Sequence, residues 1–101
     1  MNNLLTGKQK RFLRKEAHHL QPIFQVGKHG VNEQMIIQIN EALEKRELIK
    51  VTVLQNCLTD KQTVATELSE QTGAEIVQII GRQIVLYKQS AENPTIDITN
   101  L

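Results

Sequence analysis

Apolar residues change their spacing along this chain, and the alternation between two periods narrows the folds open to it. Phe12, Leu13, Ala17 and Leu20 recur at helical spacing, with Leu5 near their start, and predict a helix over 6–20 capped by Thr6. Pro22 closes it, because proline disfavours helical geometry in the residue before it. Ile23-Phe24-Gln25-Val26 then predicts a short strand. Asn32 is a good N-cap for a second helix running to about Arg46, with Ile36, Ile39, Leu43 and Met35 inward and Asn40, Glu41 and Glu44 toward solvent. Val31 and Ile36 stand at the two positions of a hydrophobic staple.

The period then shortens. Leu48-Ile49-Lys50-Val51-Thr52-Val53 is rich in β-branched residues and predicts a second strand. Thr59 or Asp60 caps a third helix of about 61–72, with Val64, Ala65 and Leu68 inward and Gly73 as its stop. Residues 75–80 and 83–88 predict two further strands. Gly81-Arg82 between them suits a two-residue hairpin turn that takes glycine first.

The order is helix, strand, helix, strand, helix, strand, strand. It predicts a single α/β domain: a mixed four-stranded sheet packed by helices, with the last two strands an antiparallel hairpin. A chain of 101 residues can bury one modest core. Phe12, Phe24 and Tyr87 are its only aromatics, so that core must be built from Ile, Leu and Val. Residues 89–101 carry Ser90, Asn93 and Pro94 but no core pattern. They are expected to form a tail after a domain spanning 1–88, with Ile96, Ile98 and Leu101 available for docking.

Net charge is only +1, but its distribution is uneven. Residues 1–31 hold Lys8, Lys10, Arg11, Arg14, Lys15 and Lys28 against Glu16 alone, whereas residues 32–101 hold six basic and ten acidic side chains. Such asymmetry marks one end of the chain as facing a polyanion. On the first helix Lys8, Arg11 and Lys15 form one basic stripe, and Lys10, Arg14 and His18 another. A basic stripe of this kind is either a solvated face or a phosphate-binding one. The scarcity of acid favours the second, since helices stabilised by surface pairs mix the signs.

Gly27-Lys28-His29-Gly30 lies between the first strand and the second helix. Two glycines admit unusual backbone and let a partner's backbone come close. The following helix N-terminus offers unpaired amides and a favourable dipole to an anion. Lys28 adds a charge, and His29 a donor or a stacking face. The same four residues also serve a plain strand-to-helix turn. Arg82 and Lys88 are each solvent-exposed charges or extensions of a basic patch.

Catalytic inventories are missing. His18 and His19 are adjacent and so point apart on a helix, Cys57 has no evident base, and the carboxylates do not converge. There is neither a phosphate-binding P-loop nor a dinucleotide fingerprint. The protein is therefore expected not to be an enzyme, and to use neither a cofactor nor a metal. A lone cysteine fits a reducing compartment, and neither a signal core nor a membrane-length apolar run is present, so the expected location is cytoplasmic.

Four blocks occur in order: Leu5-Thr6-Gly7-Lys8-Gln9-Lys10-Arg11-Phe12-Leu13-Arg14, Val26-Gly27-Lys28-His29-Gly30-Val31, Thr72-Gly73-Ala74-Glu75, and Ile80-Gly81-Arg82-Gln83-Ile84-Val85-Leu86-Tyr87-Lys88. Together they resemble the signature of the CRM domain (chloroplast RNA splicing and ribosome maturation), in its stand-alone bacterial YhbY-like form, over about residues 4–88. The resemblance implies a fold similar to the C-terminal domain of translation initiation factor three. It implies that Gly27, Lys28, His29 and Gly30 form an RNA-contacting loop with the basic first helix beside it. It also implies association with ribosomal RNA of large-subunit precursors. The expected RNA-binding set is Lys8, Lys10, Arg11, Arg14, Lys15, Gly27, Lys28, His29, Gly30 and Arg82. The leading expectation is a non-catalytic ribosome-assembly factor that binds RNA. The alternative is a ribosome-associated factor that binds mainly a ribosomal or assembly protein through a helix face or the tail.

Overall fold

A computed structural model describes residues 5–99 and 101; residues 1–4 of the expected domain and Asn100 of the expected tail lie outside the described residues. The elements follow the expected order: α1 (Gly7–Ala17), β1 (Phe24–Val26), α2 (Glu33–Arg46), β2 (Leu48–Val53), α3 (Lys61–Thr72), β3 (Glu75–Ile80) and β4 (Gln83–Tyr87). Thr6, Asn32 and Asp60 cap the three helices. At α1 the cap is a full capping box, in which Gln9 Nα–H donates to Thr6 Oγ1 and Thr6 N–H donates to Gln9 Oε1.

α1 ends about a turn earlier than the sequence predicts. His18 caps it, the Leu20 amide donates to Ala17 O, and the Lys50 ammonium takes the Leu20 carbonyl at 3.1 Å. Lysine at the negative end of a helix satisfies carbonyls that would otherwise lack partners. β1 and β4 are each one residue shorter than expected. Ile23 still donates to Lys50 O, and Lys88 to Glu47 O, so the chain keeps partners on both sides of the strand limits.

The sheet order is β1-β2-β4-β3. β1 runs parallel to β2, while β4 pairs antiparallel with both β2 and β3. Only the first strand–helix–strand unit therefore pairs directly; β4 enters between the strands of the second. Alternation along the strands divides the apolar residues between two layers. Val51, Ile84 and Leu86 meet α2 and α3 through Ile39, Leu43, Val64 and Leu68. Leu48, Val85 and Tyr87 meet α1 through Leu13 and Ala17 on the other face. A bulge between Ile76 and Gln78 lets Ile76 and Ile79 both reach the first layer while Val77 enters the second. Each fully buried Leu, Ile or Val contributes roughly 1.5–3 kcal/mol.

The segment after β4 is docked. Ile98 is buried with Leu13 and Tyr87, and Ile96 packs on the same layer. Two glutamates hold this segment by its main chain. Glu47, fully buried, accepts from the amides of Ser90, Thr95 and Ile96 at 2.7–2.8 Å and from the Thr95 hydroxyl at 2.9 Å. Glu44, exposed on α2 as expected, accepts from the Ser90 hydroxyl and the amides of Ala91 and Glu92. Burial would raise the Glu47 carboxyl, but the hydrogen bonds from Ser90, Thr95 and Ile96 outweigh it and hold it below its ordinary value. The Ser90 hydroxyl, then the Ala91 and Glu92 amides, lower Glu44 likewise.

Candidate nucleic-acid interface

Three connections gather at one end of the sheet: the Gly27–Gly30 segment after β1, residues 54–60 after β2, and the Gly81-Arg82 turn between β3 and β4. Leu54 N–H donates to Val26 O, and Val53 N–H to Arg82 O, which ties the three together. The Gly30 amide donates to Gly27 O at 3.0 Å, closing a four-residue turn with Lys28 and His29 exposed at its corners.

The two glycines of this turn answer different demands. Gly30 has φ +72° and is buried, so the backbone itself favours glycine there, although a Cβ would make only an ordinary contact, 3.5 Å from Thr59 Oγ1. Gly27 has no positive φ, and its Cβ would meet nothing nearer than Leu54 Cδ1 at 3.8 Å, an ordinary contact. Nothing within the chain requires glycine at position 27. A side chain is absent there on a surface that an external backbone can approach.

Arg82 lies exposed in the β3–β4 turn, whose Gly81 has φ +59° as the glycine-first hairpin demands. Sequence reasoning passes over Lys61, whose ammonium donates to Gly81 O at 2.7 Å and brings a further cation beside Arg82. A signal for it exists. Lysine in the first turn of a helix opposes the helix dipole, a local conflict that calls for an outside reason. Asp60 stands next to it, and hydrogen bonds from the Thr63 amide and hydroxyl keep its carboxyl below the ordinary value.

α1 crosses the opposite face of the sheet from α2 and α3, and its basic residues divide around the buried Leu13–Ala17 stripe. Gln9 Nε2 donates to Ile98 O, so that border of the helix faces the docked C-terminal segment. Lys10, Arg14 and His18 lie on the other border, away from that segment; Lys10 and Arg14 are half-buried and His18 is exposed. Lys8, Arg11 and Lys15 point outward and are exposed. Between helix and turn the sheet presents the row Gln25, Thr52, Gln83 and Ile80, without an acidic side chain. Lys88 is not part of this surface; its ammonium donates to Thr72 O at the far end of the sheet.

Among the described residues no group of three or more His, Cys, Asp or Glu gathers as a metal site. No described helix is long and apolar enough to cross a membrane.

Comparison with known proteins places this geometry in a wider set. The chain is 64% identical over 95 residues to the Bacillus subtilis protein named Probable RNA-binding protein YqeI, spanning 94% of this chain and 99% of that one. It is 41% identical over 88 residues to a Haemophilus influenzae protein named RNA-binding protein, spanning 87% and 89%. The solution structure of SAV1595 from Staphylococcus aureus, put forward as an RNA-binding protein, superposes with a TM-score of 0.78 at 58% identity, covering 93% of this chain and 98% of that one. Residues 5–88 match the model of the CRS1/YhbY (CRM) domain. On these matches and on the fold, the chain belongs to the CRS1/YhbY (CRM) domain family.

Proposed function

We propose that this protein is a non-catalytic RNA-binding factor that acts on ribosomal RNA of large-subunit precursors. The carrying observation is the cationic end of the sheet, where Lys28 and Arg82 stand exposed, Lys61 donates to Gly81 O beside them, and the adjoining row Gln25, Thr52 and Gln83 holds no acid; the Lys10–Arg14 border of α1 is read as continuing it. Lys8, Arg11 and Lys15 extend that surface outward. The names of the relatives support RNA as the partner. The ribosomal part of the reading rests on the family resemblance. With three aromatics in the chain, recognition is expected through shape and backbone more than through stacking on a sheet platform.

The alternative partner, a ribosomal protein bound by the apolar tail, draws no support from the docked segment. Ile98 is buried within the chain's own core.

The turn glycines give a sharp test. Gly27→Ala is expected to leave thermal stability unchanged or raised by up to about 1 kcal/mol, because the native backbone accepts alanine and the unfolded chain loses freedom. The same variant is expected to weaken RNA binding, because a methyl group then stands where a sugar-phosphate chain must approach. Gly30→Ala is expected to cost about 1–2 kcal/mol of stability from its positive φ. Thermal melts and filter binding to a large-subunit rRNA fragment read both effects. Unchanged affinity in a stable Gly27→Ala variant would remove the turn from the interface. Crosslinking in cells, followed by sequencing of the attached RNA, identifies the target; recovery of no ribosomal precursor sequence would reject the ribosomal reading.

A further inference from the structure

Beside the GKHG turn, a cleft of about 390 Å³ opens between the 54–60 loop and the β3–β4 turn. Its volume falls within the roughly 300–1,000 Å³ of sites that take small organic groups. Val53, Leu54 and Cys57 give it an apolar lining, and Asp60, Lys61 and Arg82 give it polar groups. It shares walls with the turn: Leu54 lies 3.8 Å, and Thr59 3.5 Å, from the positions that side chains on Gly27 and Gly30 would take.

The composition of the cleft selects its occupant. Two cations and an exposed Lys28 nearby suit phosphates, but a free anion would meet the Asp60 carboxylate and gain nothing from the apolar lining. A flat apolar group with hydrogen-bonding edges, joined to phosphates, uses all three features. That description fits a nucleobase turned out of its strand. An ionised carboxylate accepts hydrogen bonds and donates none. It therefore suits a base edge with an exocyclic amine, as in the pairing of aspartate with the amine of cytosine. Uracil offers a single N–H between two carbonyl oxygens, which a carboxylate repels.

We propose that this cleft receives one unstacked, amine-bearing nucleobase of the RNA strand whose phosphates lie on Lys28 and Arg82, with Asp60 as the group that discriminates against uracil. The inference rests on the RNA-binding reading and adds base selection to a surface otherwise suited to backbone. It also supplies base recognition without aromatic stacking.

The test compares single-stranded rC12 with rU12, which differ in the base edge that Asp60 meets. Wild type is expected to bind rC12 about tenfold more tightly. Asp60→Asn keeps the N-cap of α3, since asparagine caps as well as aspartate, so its melting temperature is expected to match wild type. Its side-chain amide both donates and accepts, so the preference for rC12 is expected to vanish. Bound rC12 is also expected to slow alkylation of Cys57, the chain's one cysteine and a lining residue of the cleft. Equal binding of the two oligomers by wild type, an undiminished preference in Asp60→Asn, or unslowed alkylation overturns the cleft assignment. Binding of a ribosomal RNA fragment but of neither oligomer overturns it too, while leaving the RNA-binding reading intact. Failure to bind all three RNAs rejects that reading and the cleft with it.

Discussion

Replacing Glu47 with alanine is expected to cost this protein about 3 kcal/mol or more of stability. The carboxylate is fully buried, and four donors converge on it: the amides of Ser90, Thr95 and Ile96 and the Thr95 hydroxyl. Hydrogen bonds to a charged group contribute about 1.5–3 kcal/mol each, though not additively, and donors left buried without partners cost about 1–3 kcal/mol. For a domain near this size a loss of 3 kcal/mol lowers the melting temperature by roughly 12–24 °C. Glu47→Gln should lose less. Its carbonyl oxygen still serves Thr95 and Ile96, but its amide then faces the Ser90 amide, donor against donor. Truncation after Lys88 should be as damaging as the alanine variant, because it removes every donor to Glu47 and strips Ile96 and Ile98 from the second apolar layer. Thermal melts of the three variants check the order, and a truncated chain that melts with wild type would refute the clamp.

The clamp also fixes a pH dependence. Glu47 and Glu44 both have folded-state pKa values below the ordinary 4.5. Their stabilisation is complete above that value and is lost as the pH falls below it toward the lowered folded values. Melting temperature should therefore fall between neutral pH and pH 3, and fall less steeply in Glu47→Gln, which has one fewer group to protonate.

The second large effect concerns RNA. The triple variant Lys28→Ala, Arg11→Ala, Arg14→Ala is expected to lose about 100-fold in affinity near physiological salt, taking roughly 1 kcal/mol per lost phosphate contact. The slope of log affinity against log salt should fall by about two to three units, because each removed contact releases fewer counterions. Arg11 is exposed, Arg14 lies on the border of α1, and Lys28 is at a turn corner, so the fold should survive. Filter binding from 50 to 200 mM salt, with melts as a control, measures both. Affinity and slope like those of wild type would show that RNA binds elsewhere.

The order of elements was legible in the sequence because local signals agreed with the fold. Thr6, Asn32 and Asp60 cap where they should, Gly73 ends α3, and strand alternation matches the two apolar layers. The entry of β4 between β2 and β3 was not, since periodicity records faces and not neighbours. Glu47 was equally hidden. It has φ +66° and ψ −37° at a one-residue link between α2 and β2, a conformation that non-glycine residues rarely hold. Strain of about 1–3 kcal/mol at such a residue persists only when its surroundings impose it. Here the clamp does so, and a link that short was the available warning. In the interface, residue types pointed to the turn and the basic helix. Lys61 and the cleft emerge only when the 54–60 loop meets the β3–β4 turn.

Of the seven hydrogen bonds in the glutamate clamp, five come from main-chain amides. A fastening that grips the peptide backbone reads chain path and barely reads residue type. Positions 91–94 can therefore drift in sequence while the C-terminal segment keeps its seat. Because the fastening joins carboxylates mainly to neutral donors, with the Lys88 charge the weakest of the influences on Glu44, concentrated electrolyte that weakens polyanion binding should leave this seat largely undisturbed.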